Sequence, residues 1–326
     1  MRVGIIGAVG TTATTIKMLL KHEFQIVGVL GHEPINKSNV SGLYDLSLLS
    51  KENCLPYSGF IRINDESHKR WMKDKSPDII FAVGFSQLLD NDWLTMAKYG
   101  CVGFHPTVLP KGRGRAPVAW SILNEEPYGA ATFFQISSGA DSGPVFVQEK
   151  FLLEKSDDAE SYGVKLKTAL QKALDTWLPQ LKNGIVNGIP QNENEATYFG
   201  KRDPVDGRID WNVTAYEIDR LIKASTRPHP GAYTYHKKSK LIIWKSRIEN
   251  QLKYKGVVGR VLLKDSDNSL LVQCGQGTIW LLEYEHAENK DIKVGDKLGL
   301  MLEDEIFHLH KRIDELMEII NAKKSW

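Results

Sequence analysis

Apolar residues in the first half of the chain come in short unbroken runs, at residues 2–6, 24–30, 78–83 and 101–104. Between these runs the spacing turns helical. Ile16, Met18, Leu19 and Leu20 follow a turn whose Thr11 and Thr12 are placed to cap a helix, and residues 66–73 and 88–98 read as two more helices. Strands that are apolar on both faces and separated by helices predict a parallel sheet covered on both sides. Ligands of such sheets bind beyond the carboxyl ends of the strands.

From about residue 197 the pattern changes. Residues 213–224 predict one helix, and residues 232–235, 241–245, 257–263, 270–273 and 278–284 predict short strands divided by Gly, Lys, Asp and Asn. Consecutive short strands without intervening helices predict a small barrel. Residues 181–191, with Asn183-Gly184, Asn187-Gly188 and Pro190, read as the start of a linker. Towards the C-terminus, Leu302, Ile306, Leu309, Ile313, Leu316 and Ile320 are spaced 4, 3, 4, 3, 4 apart, an a/d seam of almost three heptads. Met317 and Ile319 widen that seam. Two expectations stay open, docking on the chain's own barrel and pairing with a second subunit in a homodimer.

The length, 326 residues, favours two domains. A net charge of +2, from 42 Lys+Arg against 40 Asp+Glu, argues against partners held by bulk charge, and so against a nucleic-acid binder of the strongly basic kind. The apolar runs fall well short of the ~18 residues that span a bilayer, and the first residues enter a strand pattern rather than a signal peptide. A cytoplasmic protein with no membrane association is expected. Cys54, Cys101 and Cys274 are far apart and form no CxxC pair, which excludes a zinc cage and a disulfide framework.

The candidate chemistry lies in Gly103-Phe104-His105-Pro106-Thr107-Val108-Leu109-Pro110-Lys111-Gly112-Arg113-Gly114-Arg115-Ala116-Pro117, directly after a buried strand. His105 is expected at the carboxyl edge of the sheet. A second strand, residues 130–136, leads to Gly139-Ala140-Asp141-Ser142-Gly143-Pro144. If both strands end on the same edge of a parallel sheet, Asp141 can orient His105 and stabilise its cation, making it a general base or proton shuttle.

These two stretches resemble the HPxxLPxxRGxxP and D-[TS]-G motifs of the folate-dependent formyltransferase family. Residues 196–202, 206–211 and 226–233 resemble the linker and barrel entry of its methionyl-tRNA and aminoarabinose-modifying branches. The resemblance is strong over roughly residues 80 to 245. It implies transfer of a formyl group from 10-formyltetrahydrofolate, as co-substrate and without a metal, to a primary amine. His105 and Asp141 match the family's proton-handling pair. The folate site maps to Phe85, Ser86, Gln87, Leu88 and Leu89 together with Ser138, Gly139 and Ala140. One catalytic position departs from the pattern: the family normally has Asn two residues before this His, where the chain has Gly103. That Asn is credited with stabilising the oxyanion, and losing such a donor costs on the order of a hundredfold in rate.

Among sugar-directed members the acceptor is a nucleotide-linked amino sugar used in surface polysaccharide synthesis, and this is the expected substrate. Lys111, Arg113, Gly114 and Arg115 are the candidate substrate-binding residues, with the basic three either pairing with phosphates or holding their own loop. The alternatives are initiator-tRNA formylation and a folate-binding protein with little catalysis. Against tRNA, residues 31–50 carry Glu33, Lys37 and Asp45 as their only charged residues, and the lysines from Lys237 to Lys255 read as a solvated barrel surface. Gly7-x-x-Gly10 with Glu33 imitates a dinucleotide fingerprint, but position 9 is Val9, and a tight strand-to-helix turn explains it. His308 and His310, two apart on a helix, point to different sides and do not grip one ion. The expected architecture is α/β: a Rossmann-like parallel-sheet formyltransferase domain over residues 1–190, a linker and OB-like β-barrel over 191–300, and a C-terminal helix over 301–326.

Overall fold

The computed structural model describes residues 1–37, 40–300 and 302–324 and divides into two compact units, Met1–Asp203 with Thr226–Pro230, and Pro204–Ser225 with Gly231–Trp326. In the first unit β1 (Arg2–Gly7), α1 (Gly10–Lys21), β2 (Gln25–His32), α2 (Leu46–Glu52), β3 (Tyr57–Phe60), α3 (Glu66–Asp74), β4 (Ile79–Val83), α4 (Asn91–Met96) and β5 (Cys101–His105) alternate. The strands pair in parallel in the order β3-β2-β1-β4-β5. Val3, Ile5, Val29, Leu30, Ile80 and Phe81 are fully buried, as strands covered on both faces require. The helix expected over 88–98 is confined to α4. Residues before it are held in a loop, where Asn64 Nδ2 donates to the Leu88 carbonyl (3.0 Å) and the Asp90 N–H donates to Asn64 Oδ1 (3.3 Å).

β6 (Arg113–Gly114) and α5 (Pro117–Leu123) follow, and then β7 (Tyr128–Gln135) and β8 (Val145–Leu152) extend the sheet. Here the strands are antiparallel, β7 to β5 and β8 to β7. Asp141 therefore does not stand at a second parallel strand end. It belongs to the β7–β8 loop, which begins past Gln135, the partner of Val102, and must fold back to reach His105, the partner of Thr132. An apolar run gives a strand but not its direction. α6 (Ala159–Lys182) starts at the reciprocal hydrogen bonds of Asp158 and Ser161 and buries Tyr162, Leu166, Leu170, Leu174, Trp177 and Leu181 against the sheet. β9 (Tyr198–Phe199) pairs in parallel with β6.

The second unit holds α7 (Ala215–Ser225), β10 (Ala232–His236), β11 (Ser239–Glu249), β12 (Val261–Lys264), β13 (Leu270–Gln273), β14 (Thr278–His286) and α8 (Leu302–Lys324). The strands pair antiparallel in the order β10-β11-β14-β13-β12 around Leu241, Ile243, Val261, Leu270, Val272 and Ile279. Residues 295–299 run between the two edge strands. The Leu298 N–H donates to Gly259 (2.8 Å) and the Gly299 N–H to Tyr235 (2.7 Å), which closes the sheet into a small barrel. On α8 the seam residues Ile306, Leu309, Ile313, Leu316 and Ile320 are 46–57% exposed. The side chain of Leu302 lies outside the described part. Among the described residues no helix is long and apolar enough to cross a membrane.

Candidate active site

His105 is the last residue of β5, and residues 106–112 after it are tied down through their carbonyls. Tyr162 of α6 donates to Pro106, Thr132 of β7 to Thr107 (2.7 Å), and Gln148 of β8 to Leu109 (3.1 Å). Within the loop the Thr107 hydroxyl donates to the Lys111 carbonyl (2.7 Å). Burial pushes the Tyr162 hydroxyl pKa well up, so this donor stays protonated. Three elements of the core thus fix a backbone that has no regular pairing of its own.

The histidine is 4% exposed. Its Nε2 lies 2.7 Å from the Gly112 carbonyl oxygen, which can only accept, so Nε2 carries a proton and Nδ1 is the nitrogen that gains or loses one. Nδ1 is 3.5 Å from Asp141 Oδ2. A proton arriving at Nδ1 therefore forms an ion pair, the arrangement of a base backed by a carboxylate. Asp141 is the more accessible partner, its side chain 23% exposed. Its Oδ2 also accepts the Gly114 N–H (2.8 Å).

Gly103 lies two residues earlier on the same face of β5 and pairs with Phe134. A Cβ built there would sit 2.6 Å from Phe134 Cζ and 3.0 Å from Ile136 Cγ1. The space an Asn side chain would enter is filled by an aromatic ring. Gly112 and Gly114 have positive φ (72° and 103°), and a Cβ at 114 would lie 2.5 Å from the Phe199 carbonyl oxygen. Glycine at 112 leaves room for the Phe199 ring, and glycine at 114 lets the β9 backbone come against the loop.

Arg113 does not face solvent. It is fully buried, its Nη1 and Nη2 grip Glu193 (2.8 and 2.7 Å), its Nε and Nη2 reach Gln191 Oε1 (3.2 and 2.9 Å), and Nη1 also donates to Tyr198 (2.9 Å). The pair with Glu193 holds the guanidinium pKa above its usual range and the Glu193 carboxyl below its own. Of the two roles open to the basic loop residues, Arg113 takes that of holding the loop. Lys111 and Arg115 are exposed. Gly114 contributes its N–H to Asp141 and its backbone to the contact with Phe199. The polar residues Gln191 and Glu193 and the short β9 carry no periodic signal, and the sequence pattern reads them as linker; the alternation in Thr197-Tyr198-Phe199 is the one local hint of a strand.

The loop Phe85–Leu89 follows β4 on the other side of β5 from β7. Phe85 is half-buried against Phe60 (centroids 5.5 Å apart), and the Gln87 amide is spent on Ile61 (donating, 2.7 Å) and Ile63 (accepting, 3.0 Å). Ser86 and Leu88 are exposed, as are Ser138, Gly139 and Ala140 across the β7–β8 loop. An aromatic wall beside exposed backbone suits a flat heterocycle with polar edges. Among the described residues no group of three or more His, Cys, Asp or Glu is placed to hold a metal ion.

Two family models match, Formyl transferase over residues 58–178 and Formyl transferase, C-terminal domain, over residues 201–298. The chain belongs to the formyl transferase family. It is similar in fold to HypX from Aquifex aeolicus solved with tetrahydrofolic acid, at 16% identity and a TM-score of 0.63, over 90% of this chain and 46% of that one. It spans about half the length of the HypX chains it matches. It is also similar to the N-formyltransferase from Helicobacter canadensis solved with folinic acid and dTDP-3-aminofucose (18% identity, TM-score 0.64, 86% of this chain and 98% of that one). The methionyl-tRNA formyltransferase from Clostridium thermocellum shares the fold at 21% identity and a TM-score of 0.53, over 77% and 95% of the two chains.

Proposed function

We propose that the chain transfers the formyl group of 10-formyltetrahydrofolate to the primary amine of a nucleotide-linked amino sugar. The observation that carries the reading is His105, fixed by the Gly112 carbonyl at one nitrogen and facing Asp141 at the other. The amine nitrogen attacks the formyl carbon, the proton it loses passes to Nδ1 of His105, where the Asp141 carboxylate stabilises it, and the same proton is delivered to the folate nitrogen as the bond from that nitrogen to the formyl carbon breaks. The residues Phe85–Leu89 and Ser138–Ala140 fit the folate, which supplies the activated one-carbon unit. Lys111 and Arg115, both exposed on the tied-down loop, are the cations left to meet a diphosphate. Support for a sugar acceptor comes from the fold shared with an N-formyltransferase solved with dTDP-3-aminofucose, and from a β2–α2 segment poor in cations.

The deciding experiment incubates the purified protein and 10-formyltetrahydrofolate with a panel of amino-sugar nucleotides beginning with dTDP-3-aminofucose, and separately with charged initiator tRNA. Formylation of a sugar nucleotide is expected. Efficient formylation of the tRNA instead overturns the choice of acceptor.

We further propose that α8 pairs with α8 of a second copy. Its seam stays exposed, and burying each such side chain stabilises by about 1.5–3 kcal/mol. Light scattering is expected to give a dimer, and truncation after Gly299 a monomer. A full-length monomer at micromolar concentration rejects the pairing.

A further inference from the structure

The segment 191–199 lies between the stretches matched by the two family models, and it is hydrogen-bonded along the His105 loop. The Gly112 N–H donates to the Thr197 hydroxyl (2.8 Å), the Arg113 N–H to the Thr197 carbonyl (2.9 Å) and the Arg115 N–H to the Phe199 carbonyl (3.0 Å). At its start stands Gln191, whose amide makes four hydrogen bonds to three residues. Its oxygen accepts from Arg113, and its nitrogen donates to the carbonyls of Asp141 (2.8 Å) and Gly143 (2.7 Å).

Asp141 needs such support. Its φ is +51°, a left-handed conformation that side-chain-bearing residues rarely adopt, and its loop must fold back along β5. We infer that Arg113 and Gln191 are positioning residues that set the Asp141 carboxylate against His105, so that segment 191–199 is a working part of the site. Arg113 acts by two routes. Through Gln191 it fixes the backbone of the Asp141 turn, and through the next peptide it aims the Gly114 N–H at Oδ2, the oxygen that faces His105. A buried guanidinium held by a bidentate carboxylate, an amide oxygen and a phenol is geometrically unambiguous, which is what a positioning device requires.

The inference rests on reading His105 and Asp141 as the pair that handles the proton, and its test separates the two. Gln191→Glu is the sharp variant, because a carboxylate still accepts from Arg113 but cannot donate to the two carbonyls; Gln191→Leu removes both functions. Transfer from 10-formyltetrahydrofolate to dTDP-3-aminofucose is expected to lose ten- to hundredfold in kcat in both variants, with KM for the folate within twofold, since the Phe85–Leu89 loop is untouched. In a His105→Ala background the same changes should cost nothing more, because they act through the missing group. Hydrogen exchange supplies an arm that needs no acceptor: in Gln191→Leu the Gly114 amide should exchange at least tenfold faster while Ile80 and Val102 keep their protection. Normal transfer by His105→Ala would refute the underlying reading. Wild-type kcat in Gln191→Glu, additive loss in the double variant, or unchanged exchange at Gly114 would refute the positioning role, the last of these whatever sugar the enzyme takes.

Discussion

His105 in the first unit and His236 in the second are both buried beside an aspartate, yet they are different objects. His236 is 1% exposed and both its nitrogens are satisfied, Nδ1 by His286 Nε2 (3.1 Å) and Nε2 by Asp296 Oδ2 (3.1 Å). The far nitrogen of His286 is satisfied in turn, accepting the N–H of Glu288 (3.1 Å). Every proton in that chain has one place to be. His105 has a fixed Nε2 but an Nδ1 that meets its carboxylate only at 3.5 Å; the two carboxylates are about equally open, 23% exposed for Asp141 and 25% for Asp296, so the difference lies at the imidazole nitrogen. A histidine and an aspartate make a site only where one position of the network is left to change its proton; otherwise they make a core.

The largest effect expected from breaking this contrast is on catalysis. His105→Ala should lower kcat by about a hundred- to ten-thousandfold, since that is what a positioned base contributes, and the protein should remain folded by circular dichroism. Asp141→Asn should also be severe, because an amide cannot support the charged imidazole; loss of folding instead would make Asp141 structural. In the barrel the effect should move from rate to stability. His236→Ala strips a partner from buried His286 and from partly exposed Asp296 and opens a cavity beside them, and is expected to lower unfolding free energy by about 2–4 kcal/mol in denaturant titration, with kcat unchanged.

A subtler separation uses pH. Burial, and then the neighbouring His236, hold the His286 pKa below its ordinary 6.5. The unfolded chain therefore binds this proton more readily than the folded one, so stability is complete above about pH 6.5 and declines as the pH falls below it. Melting temperatures measured from pH 8 to 5.5 should show that decline, and His286→Asn should flatten it. Gly103→Asn tests the space beside the candidate site. Its Cβ would press on the Phe134 ring, a cost of about 1–3 kcal/mol that should largely vanish when the same change is made in a Phe134→Ala background. The smallest effect is expected from charge. Replacing Lys237, Lys238 and Lys240 by Ala should leave sugar formylation and its salt dependence unchanged, whereas a tRNA enzyme would show a flatter slope.

Much of the fold is legible in the chain because burial on both faces writes itself as continuous apolar runs: β1, β2, β4 and β5 all fall on them, as do β10, β13 and β14. What the runs do not contain is direction, so the antiparallel β7 and the folded-back Asp141 loop show only in the structure. α6 is legible in principle, from Asp158 and Ser161 at its start and from Tyr162, Leu166, Leu170 and Leu174 four apart, although no helix is predicted over that stretch. His105 and Asp141 stood out through motif resemblance rather than periodicity. The partners of Arg113 did not, because Gln191 and Glu193 sit among polar residues whose composition is that of any surface turn, and only a buried guanidinium gives them a task.

The pairing of β6 with β9 also bears on how such chains can be recombined. A tether between folded units tolerates changes of length, and the largely exposed residues 183–187 have that freedom. Residues 191–199 do not. One residue inserted between Gln191 and Tyr198 would move one of them off Arg113 and leave a buried cation short of a partner. A chimera that exchanges the barrel for another must therefore join beyond Phe199, carrying this stretch with the N-terminal donor; a join at residue 190 would mate one parent's loop to the other parent's clasp.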